Sequence, residues 1–499
     1  MKAFNLRLEI PYKGVRKNLR VNIDDDKVID NIMKSKRKVK TLYIHSDMQR
    51  TILPSTRVKL KKIVKQIGGN IAEVGIFSKV MTLEEFELFN LMPNLQKLSL
   101  DLVSSEKLKI PQSFQLRLNS LRQLAVSGSA NVLEVFDRLP DNVLRKLFLS
   151  IDGEPTRMYF KNQLKLEEFR PHSYGFLDLQ QIKLKVVIAS AGQNIQEVIK
   201  EQDEMRSLVI DVRFDHQKIA DLICSDLKSL EGLEICCYSP ITFFNIQNLK
   251  KLKKLSLMRF SLSDKIITTM KSKSLQELEV QTISKESLLQ LSNNCPNLRE
   301  LKLHDCTALM NFKVDNILQY FPELERVYCD SRIFQNIQVC EHDNLKYLNI
   351  KNNYQMVVDN IIVILSGCKN IEFLSTDVKF NGEQLETLLR LRPNLKSLCL
   401  REFSRELLEV VKSHGKNLHS LHFCFRGSES EIELIELKET FKQQFTRFTF
   451  NGGPEHNVSL MRKTGNEKKC CDYWPLDQFD FGSFSTFHYY VLRSDQVCG

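Results

Sequence analysis

The stretch "CPNLRELKLHDC", residues 295–306, contains three leucines whose spacing fits neither a helix nor a simple strand. Leu298, Leu301 and Leu303 are three and then two residues apart. A helix repeats its apolar positions about every 3.6 residues, and a half-buried strand repeats them every second residue. The pair Leu301 and Leu303 therefore indicates a short strand with one apolar face, and Leu298 closes the preceding turn onto the same core.

The same L-x-x-L-x-L pattern, with Ile, Val or Phe allowed, returns along most of the chain. Clear copies begin at Leu95, Leu121, Leu144, Met205, Leu230, Leu252, Leu275, Leu298, Leu324, Leu345, Ile371, Leu395 and Leu418. Weaker copies begin at Val39, Ile71, Leu166 and Phe445. The copies from Met205 to Leu418 start 21 to 26 residues apart, a period typical of leucine-rich repeats, whose units are about 20–29 residues long. One unit cannot bury its apolar face alone, so we expect stacked coils that share a core and a parallel sheet.

The segments between the strands are predicted to be helical. In "SKESLLQLSNNCPNL", residues 284–298, Ser284 is placed to cap a helix, and a charged first turn precedes apolar residues at helical spacing. Pro296 then follows this helix, and a proline disfavours helical backbone in the residue before it. The sequence therefore predicts an α/β fold, a leucine-rich repeat solenoid in the form of a horseshoe or arc. Its parallel sheet is expected on the concave side and its helices on the convex side.

Three regions are predicted along the chain. Residues 1–38 form a basic, cap-like N-terminal segment, and residues 39–450 form an irregular repeat solenoid of about 17–18 units. Residues 451–499 form a C-terminal tail that is rich in aromatic residues and contains Trp474, the only tryptophan. This tail could cap the open end of the solenoid, dock a partner as a short linear segment, or be an extension without a fold.

Composition narrows the class of protein. Hydrophobic residues make up 42% of the chain and charged residues 27%, so the bulk of it is expected to fold. None of the thirteen cysteines forms a CxxC pair, which favours buried, reduced thiols in a cytoplasmic or nuclear protein. The N-terminus has no apolar signal-peptide stretch. The longest uncharged apolar stretch, residues 360–368, is far shorter than the roughly 20 residues of a membrane span, so no membrane contact is expected.

The positive charge is concentrated near the N-terminus. Residues 1–80 contain 19 Lys and Arg against 7 Asp and Glu, whereas the rest of the chain contains 53 against 54. Within the basic region a patch stands out, made of Lys34, Lys36, Arg37, Lys38 and Lys40. It could bind an acidic protein, RNA or an anionic surface, or it could be a solvated face or an import signal.

No pattern of catalytic or metal-binding residues is present. The sequence contains no P-loop, no GxGxxG and no HExxH motif, and no Cys/His spacing typical of metal sites. Its ten histidines are scattered singly. We therefore expect no enzyme activity, no cofactor and no metal.

Candidate binding residues flank the central leucine on the solvent side of each later strand. They are Lys302, His304, Arg326, Tyr328, Tyr347, Asn349, Phe373, Arg401 and His422. Tyr328, Tyr347 and Phe373 fall on three successive strands, and aromatic residues and arginine are the usual energetic anchors of protein interfaces. At the turn after the strand, Cys306 and Asn353 occupy the place where repeats of this type put Cys or Asn, which can satisfy backbone groups of the neighbouring coil.

The stretches "NNCPNLRELKLHDC" and "LMPNLQKLSL" resemble repeats of the F-box/LRR proteins, whose ribonuclease-inhibitor-like repeats often carry cysteine. The resemblance implies that the repeats capture a protein to be ubiquitinated, while an F-box docks on the adaptor of an SCF-type cullin ubiquitin ligase. This chain departs from that family at its N-terminus, where no F-box pattern is visible.

Two functions follow from these patterns. The first is non-catalytic protein recognition, as a monomeric substrate-recognition subunit of such a ligase or a protein derived from one. The alternative is a free-standing repeat scaffold whose basic N-terminal region binds an acidic partner, an anionic surface or RNA, although nucleic acid is the less expected ligand. The ligase adaptor is expected as a partner only if an F-box lies upstream.

Overall fold

The computed structural model describes most of the repeat region of the chain. The residues described are 18–22, 39–45, 54–77, 81–102, 109–129, 132–152, 160–171, 182–190, 196, 199–200, 202–212, 215–237, 241, 244–262, 264–304, 314–330, 339, 341–351, 358–376, 378–400, 405–425, 447–451 and 456–461. The chain divides into two compact units, and the boundary lies between residues 214 and 215.

The first unit contains a parallel sheet whose strands pair in chain order. Its strands are β1 (Asn18–Asn22), β2 (Thr41–His45), β3 (Glu73–Phe77), β4 (Lys97–Asp101), β5 (Gln123–Ser129), β6 (Lys146–Asp152), β7 (Glu168–Pro171), β8 (Val186–Ser190) and β9 (Ser207–Val212). Each strand pairs in parallel with the next. The helices described in this unit are α1 (Pro54–Ile67), α2 (Leu83–Glu87) and α3 (Leu133–Phe136). β1 lies within residues 1–38, where the sequence indicates a cap-like segment.

The second unit repeats this arrangement with more regular helices. Its strands are β10 (Gly232–Cys237), β11 (Lys254–Leu262), β12 (Glu277–Ile283), β13 (Glu300–Leu303), β14 (Arg326–Asp330), β15 (Tyr347–Lys351), β16 (Phe373–Thr376), β17 (Ser397–Leu400), β18 (Ser420–Phe425), β19 (Arg447–Asn451) and β20 (His456–Met461). β10 to β18 pair in parallel in chain order. The helices described here are α4 (His216–Asp226), α5 (Asp264–Thr269), α6 (Lys285–Asn294), α7 (Val314–Tyr320), α8 (Val358–Gly367), α9 (Gly382–Leu391) and α10 (Arg405–His414).

The leucines of the motif lie where the sequence predicts. Leu298 and Leu301 are 0% exposed, and Leu303 is also buried. Leu301 is in register with Leu278 of β12 and with Val327 of β14, so the same motif position is stacked from coil to coil. Strands β9 and β12 show alternating burial over most of their length, as expected for one face packed on a core. The predicted α/β leucine-rich repeat fold is confirmed.

Local signals explain the helix boundaries. Ser284 caps α6, because its hydroxyl accepts a hydrogen bond of 3.0 Å from the backbone N–H of Ser287. The helix ends at Asn294, just before Cys295 and Pro296, as the proline predicts. In α9, Asn381 and Gln384 form a reciprocal capping box.

The weak repeat copy at Phe445 does not continue the parallel sheet. β19, which contains Phe448 and Phe450, pairs antiparallel with β20, and β20 pairs antiparallel with β18. The physical reason is the connection, since only the four residues 452–455, "GGPE", separate β19 from β20. A parallel crossover requires about a dozen residues or more, so this short link permits only a hairpin.

Two findings bear on the class of protein. Among the described residues, no helix has the length and apolar character that crossing a bilayer would require. Of the seven cysteines whose side-chain burial the structure describes, six are buried thiols, and Cys236 is partly exposed. Burial raises the pKa of Cys224 and of Cys295 to about 12, so both are protonated at neutral pH.

Candidate functional site

The register of the parallel sheet brings the predicted binding residues of the second unit together. Lys302 of β13 lies beside Tyr328 of β14, and Tyr328 lies beside Asn349 of β15. Two residues before Asn349 on β15, Tyr347 lies beside Phe373 of β16. Neighbouring strands are about 4.8 Å apart, so side chains at equal positions of successive repeats come into contact.

Three of these residues form what we call the aromatic row, which consists of Tyr328, Tyr347 and Phe373. The rings of Tyr347 and Phe373 are stacked, with centroids 4.0 Å apart and planes 8° apart. The ring of Tyr328 lies 4.8 Å from that of Tyr347 at a tilt of 34°. Tyr347 is 7% exposed, whereas Tyr328 and Phe373 are partly exposed. The row thus presents two accessible rings that a buried central ring holds in place.

A cluster of charges adjoins the aromatic row on the β12–β14 side. Glu300, which is 4% exposed, accepts contacts of 3.1 Å from both Lys302 and Arg326. The Lys302 ammonium also lies 5.1 Å from the centre of the Tyr328 ring, within the range of a cation–π contact. On β12, Glu279 lies 2.6 Å from Nε2 of His304 and 3.9 Å from Lys302. Lys302, His304 and Arg326 therefore each have a carboxylate partner.

The same contacts decide the protonation of the cluster. Burial by itself would raise the pKa of Glu279, but the hydrogen bond from His304 and the charge of Lys302 outweigh it and hold that pKa below its usual value. Burial by itself would lower the pKa of Lys302, but Glu279 and Glu300 outweigh it and raise that pKa. Both groups stay charged at neutral pH. Burial also raises the pKa of Tyr328 and Tyr347, so both phenols stay neutral.

Beyond the aromatic row, the outward positions of β17 and β18 are small, polar and buried. The Ser420 hydroxyl lies 2.6 Å from that of Ser397, and His422 is in register with Cys399. His422 is only 4% exposed, and burial lowers its pKa to about 4 because the charged imidazolium loses hydration. His422 is thus a neutral, enclosed residue.

The structure places the predicted site residues in three groups. Lys302, His304, Arg326, Tyr328, Tyr347, Asn349 and Phe373 lie on one connected face of β13–β16. His422 is buried two strands beyond Phe373. Arg401 lies outside the described residues, as do Cys306 and Asn353. Of the predicted basic patch, Lys40 is exposed, and Lys34, Lys36, Arg37 and Lys38 lie outside the described residues.

Two carboxylates, Glu279 and Glu300, hold the charged and polar side chains of this face in place. Glu279 contacts Lys302 and His304, and Glu300 contacts Lys302 and Arg326, and neither carboxylate was predicted to play this part. The signal was present in the repeat spacing, because aligning the motifs places Glu279 beside Lys302 and Glu300 beside Arg326. The alignment shows which residues are neighbours, but a single sequence does not show which of their side chains are buried away from water.

The chemistry of this face suits binding. Its charges are paired, its phenols are protonated, and its rings are packed against one another. Within the part of the chain that the structure describes, no three His, Cys, Asp or Glu residues are grouped so as to hold a metal ion.

Comparison with known proteins adds little to these observations. No protein-family model and no curated protein matches the chain. Among solved structures, it is similar to a chain in the crystal structure of the mouse RP105/MD-1 complex, with 17% identity and a TM-score of 0.31. The match covers 76% of this chain and 59% of that one, so the chain spans less than two thirds of that chain's length. The fold assignment therefore rests on the strand registers described above.

Proposed function

We propose that this chain is a non-catalytic recognition protein that binds another protein through the outer face of β13–β16. The aromatic row is the observation that carries the proposal. The rings of Tyr347 and Phe373 are stacked with centroids 4.0 Å apart, and they lie on the side of the sheet opposite the core leucines of the motif.

The geometry of the row favours binding for two physical reasons. Packed rings lose little conformational entropy when a partner arrives, so more of the contact energy becomes affinity. Tyrosine and arginine are also over-represented among the residues that dominate interface energies. Beside the rings, the charges of Arg326, Lys302 and Glu279 are fixed by their neighbours and can orient a polar partner.

The proposal is tested by removing the two accessible rings. Tyr328→Ala combined with Phe373→Ala is expected to weaken partner binding about 30-fold or more, the size of a loss of about 2 kcal/mol at a binding hot spot. Partners captured by the full chain are identified by quantitative mass spectrometry, and the affinity of each purified partner is then measured for both variants.

The first unit offers a matched control for this experiment. Tyr43 occupies the corresponding outward position of β2 and is partly exposed, so Tyr43→Ala removes one ring of the same type elsewhere. Equal affinity of the partner for the double variant and for Tyr43→Ala would show that the aromatic row is not the binding site.

At a finer level, we propose that the chain is the substrate-recognition subunit of an SCF-type cullin ubiquitin ligase, or derives from one, in the cytoplasm or nucleus. The Cys-containing repeats at residues 295–306 support this through their resemblance to F-box/LRR proteins. Co-purification of the cullin adaptor with the chain tests it. Retention of the partner without any adaptor would instead favour a free-standing scaffold.

A further inference from the structure

A second feature of the second unit lies away from the aromatic row, along the loops that lead into β11 and β12. Residues 245–257, "NIQNLKKLKKLSL", contain four lysines and no acidic residue, and residues 270–276, "MKSKSLQ", contain two lysines and none. The loops before β14, β15 and β16 differ, since each contains an acidic residue, namely Glu323, Asp343 and Glu372. These two stretches together therefore contain six lysines and no acidic residue.

These loops border an open groove of about 700 Å³. We call it the lysine groove, and it is lined by Gln247, Leu249, Lys250, Lys271, Ser272, Lys273, Ser274, Asn293, Asn294 and Pro296. Its walls are fixed by hydrogen bonds. Asn294 accepts through its backbone from Ser272 N–H at 3.0 Å and donates through its side chain to the Ile267 carbonyl at 2.7 Å. The Ser272 hydroxyl in turn accepts from the N–H groups of Ser274 and Leu275.

The lysines that line the groove differ from nearby lysines in having no carboxylate partner among the described residues. Lys253 and Lys254 are paired with Glu231 and Glu277 at 3.2 and 2.9 Å. By contrast, the side chains of Lys250, Lys271 and Lys273 are exposed and make no ion pair or hydrogen bond with other described residues. Three exposed lysines thus line one groove, and none of them is paired with a carboxylate of the described residues.

We infer that the lysine groove binds an extended acidic segment, rich in Asp or Glu, of a partner protein. The unpaired lysines provide the attraction for carboxylates. The amides of Gln247 and Asn293 provide both donors and acceptors, which match the alternating N–H and C=O groups of a peptide backbone.

The composition of the groove favours a peptide over a nucleic acid. The residues that line it include no aromatic and no arginine side chain, and single-stranded nucleic acids depend on such side chains for stacking.

The test measures fluorescence anisotropy of the full chain with a labelled peptide of alternating Glu and Ser. The variant Lys250→Gln, Lys271→Gln, Lys273→Gln removes the three unpaired charges from exposed loop positions. We expect it to weaken binding about tenfold, the combined size of three exposed ion pairs. A peptide of alternating Gln and Ser is expected not to bind.

A control variant removes the same charge from the same edge of the sheet. Lys369, Lys396 and Lys416 are exposed in the loops before β16, β17 and β18, and their triple change to Gln is expected to leave binding unchanged. Equal weakening by both variants would mean attraction to net charge and would overturn the inference. Tighter, groove-dependent binding of a labelled oligouridylate would overturn it in favour of a nucleic acid. Because the aromatic row is intact in both variants, these outcomes are independent of the proposed function.

Discussion

His422 shows how a repeat can bury a polar residue on the outward side of its sheet. It lies on β18 in register with Cys399 and is 4% exposed. Burial lowers its pKa to about 4, well below the ordinary value of about 6.5 for histidine. The folded protein therefore resists protonation of this residue, whereas the unfolded chain accepts the proton readily.

This difference predicts a loss of stability in mild acid. Since the pKa is lower in the folded state, the contribution of neutral His422 is complete above about pH 6.5 and is lost as the pH falls toward 4. At about pH 5 the free energy of unfolding should be lower by about 2 kcal/mol. The measurement is urea unfolding at neutral pH and in mild acid.

Two variants isolate the contribution of His422. His422→Gln should flatten the pH dependence, because glutamine does not titrate. His419→Gln, at an exposed position just before β18, should retain it. An unchanged pH response in His422→Gln would show that another group is responsible.

At the scale of single residues, the sequence predicts which side of a strand a side chain lies on better than it predicts how exposed that side chain is. Period-two spacing assigns Tyr347 and His422 to the side of the strand opposite the core leucines. Both are nevertheless buried, at 7% and 4% exposed. The reason for Tyr347 is its neighbours, since its ring lies between those of Tyr328 and Phe373. The alternating pattern identifies the side of the strand on which a residue lies. How deeply that residue is buried depends on the side chains of adjacent coils.

At the scale of elements, the asparagine before the first leucine of the motif links each coil to the preceding one. Its side-chain amide donates to a backbone carbonyl 22 to 27 residues earlier in the chain, at 2.7 to 2.9 Å. The residues that do so are Asn94, Asn297, Asn344, Asn370 and Asn417. Such a bond satisfies a loop carbonyl that the sheet leaves unpaired.

These asparagine hydrogen bonds predict a small and additive loss of stability when they are removed. Asn297→Ala and Asn344→Ala should each lower the free energy of unfolding by about 1 kcal/mol, the net value of one hydrogen bond, and the double variant by about 2. Asn394 is the matched control, because it occupies the same motif position and makes no such bond with the described residues. Equal effects of Asn394→Ala and Asn297→Ala in urea unfolding would contradict this role.

The elements themselves were largely predictable, and the exceptions have physical causes. The helix in residues 284–298 follows from its cap and its proline, and the strands follow from the paired leucines. The hairpin of β19 and β20 was not predicted, because "FTRFTF" at residues 445–450 fits the repeat pattern. β19 runs in the same direction as β18, but β20 lies between them, and a motif search does not show which strands pair.

At the scale of the whole molecule, the sequence determines the repeat and leaves the partner open. The buried motif positions are constrained by stacking from coil to coil, so they recur and can be recognised. The outward positions carry no such constraint. Glu277, Glu300, Arg326, Tyr347 and Phe373 occupy the same position of five successive strands. Along this row the side chains change from acidic to basic to aromatic, so stacking of the core does not fix their chemistry.

Stacking of each coil on its immediate neighbours has a consequence for how damage spreads through the second unit. Leu301→Ala removes a fully buried side chain between Leu278 and Val327 and should cost about 2–5 kcal/mol. Since each repeat is stabilised by its immediate neighbours, the cost should fall mainly on the coils in contact with the cavity. Amide hydrogen exchange should then accelerate most in β12, β13 and β14.

The outer strands of the same unit serve as the internal reference. In a nearest-neighbour stack, exchange in β10 and β17 should change much less than in β13. Ser375→Ala, at a partly exposed position of β16, should leave the exchange of all strands almost unchanged. Uniform acceleration from β10 to β18 in Leu301→Ala would mean that the unit opens as a single cooperative block, and the coils would then not be separable units of stability.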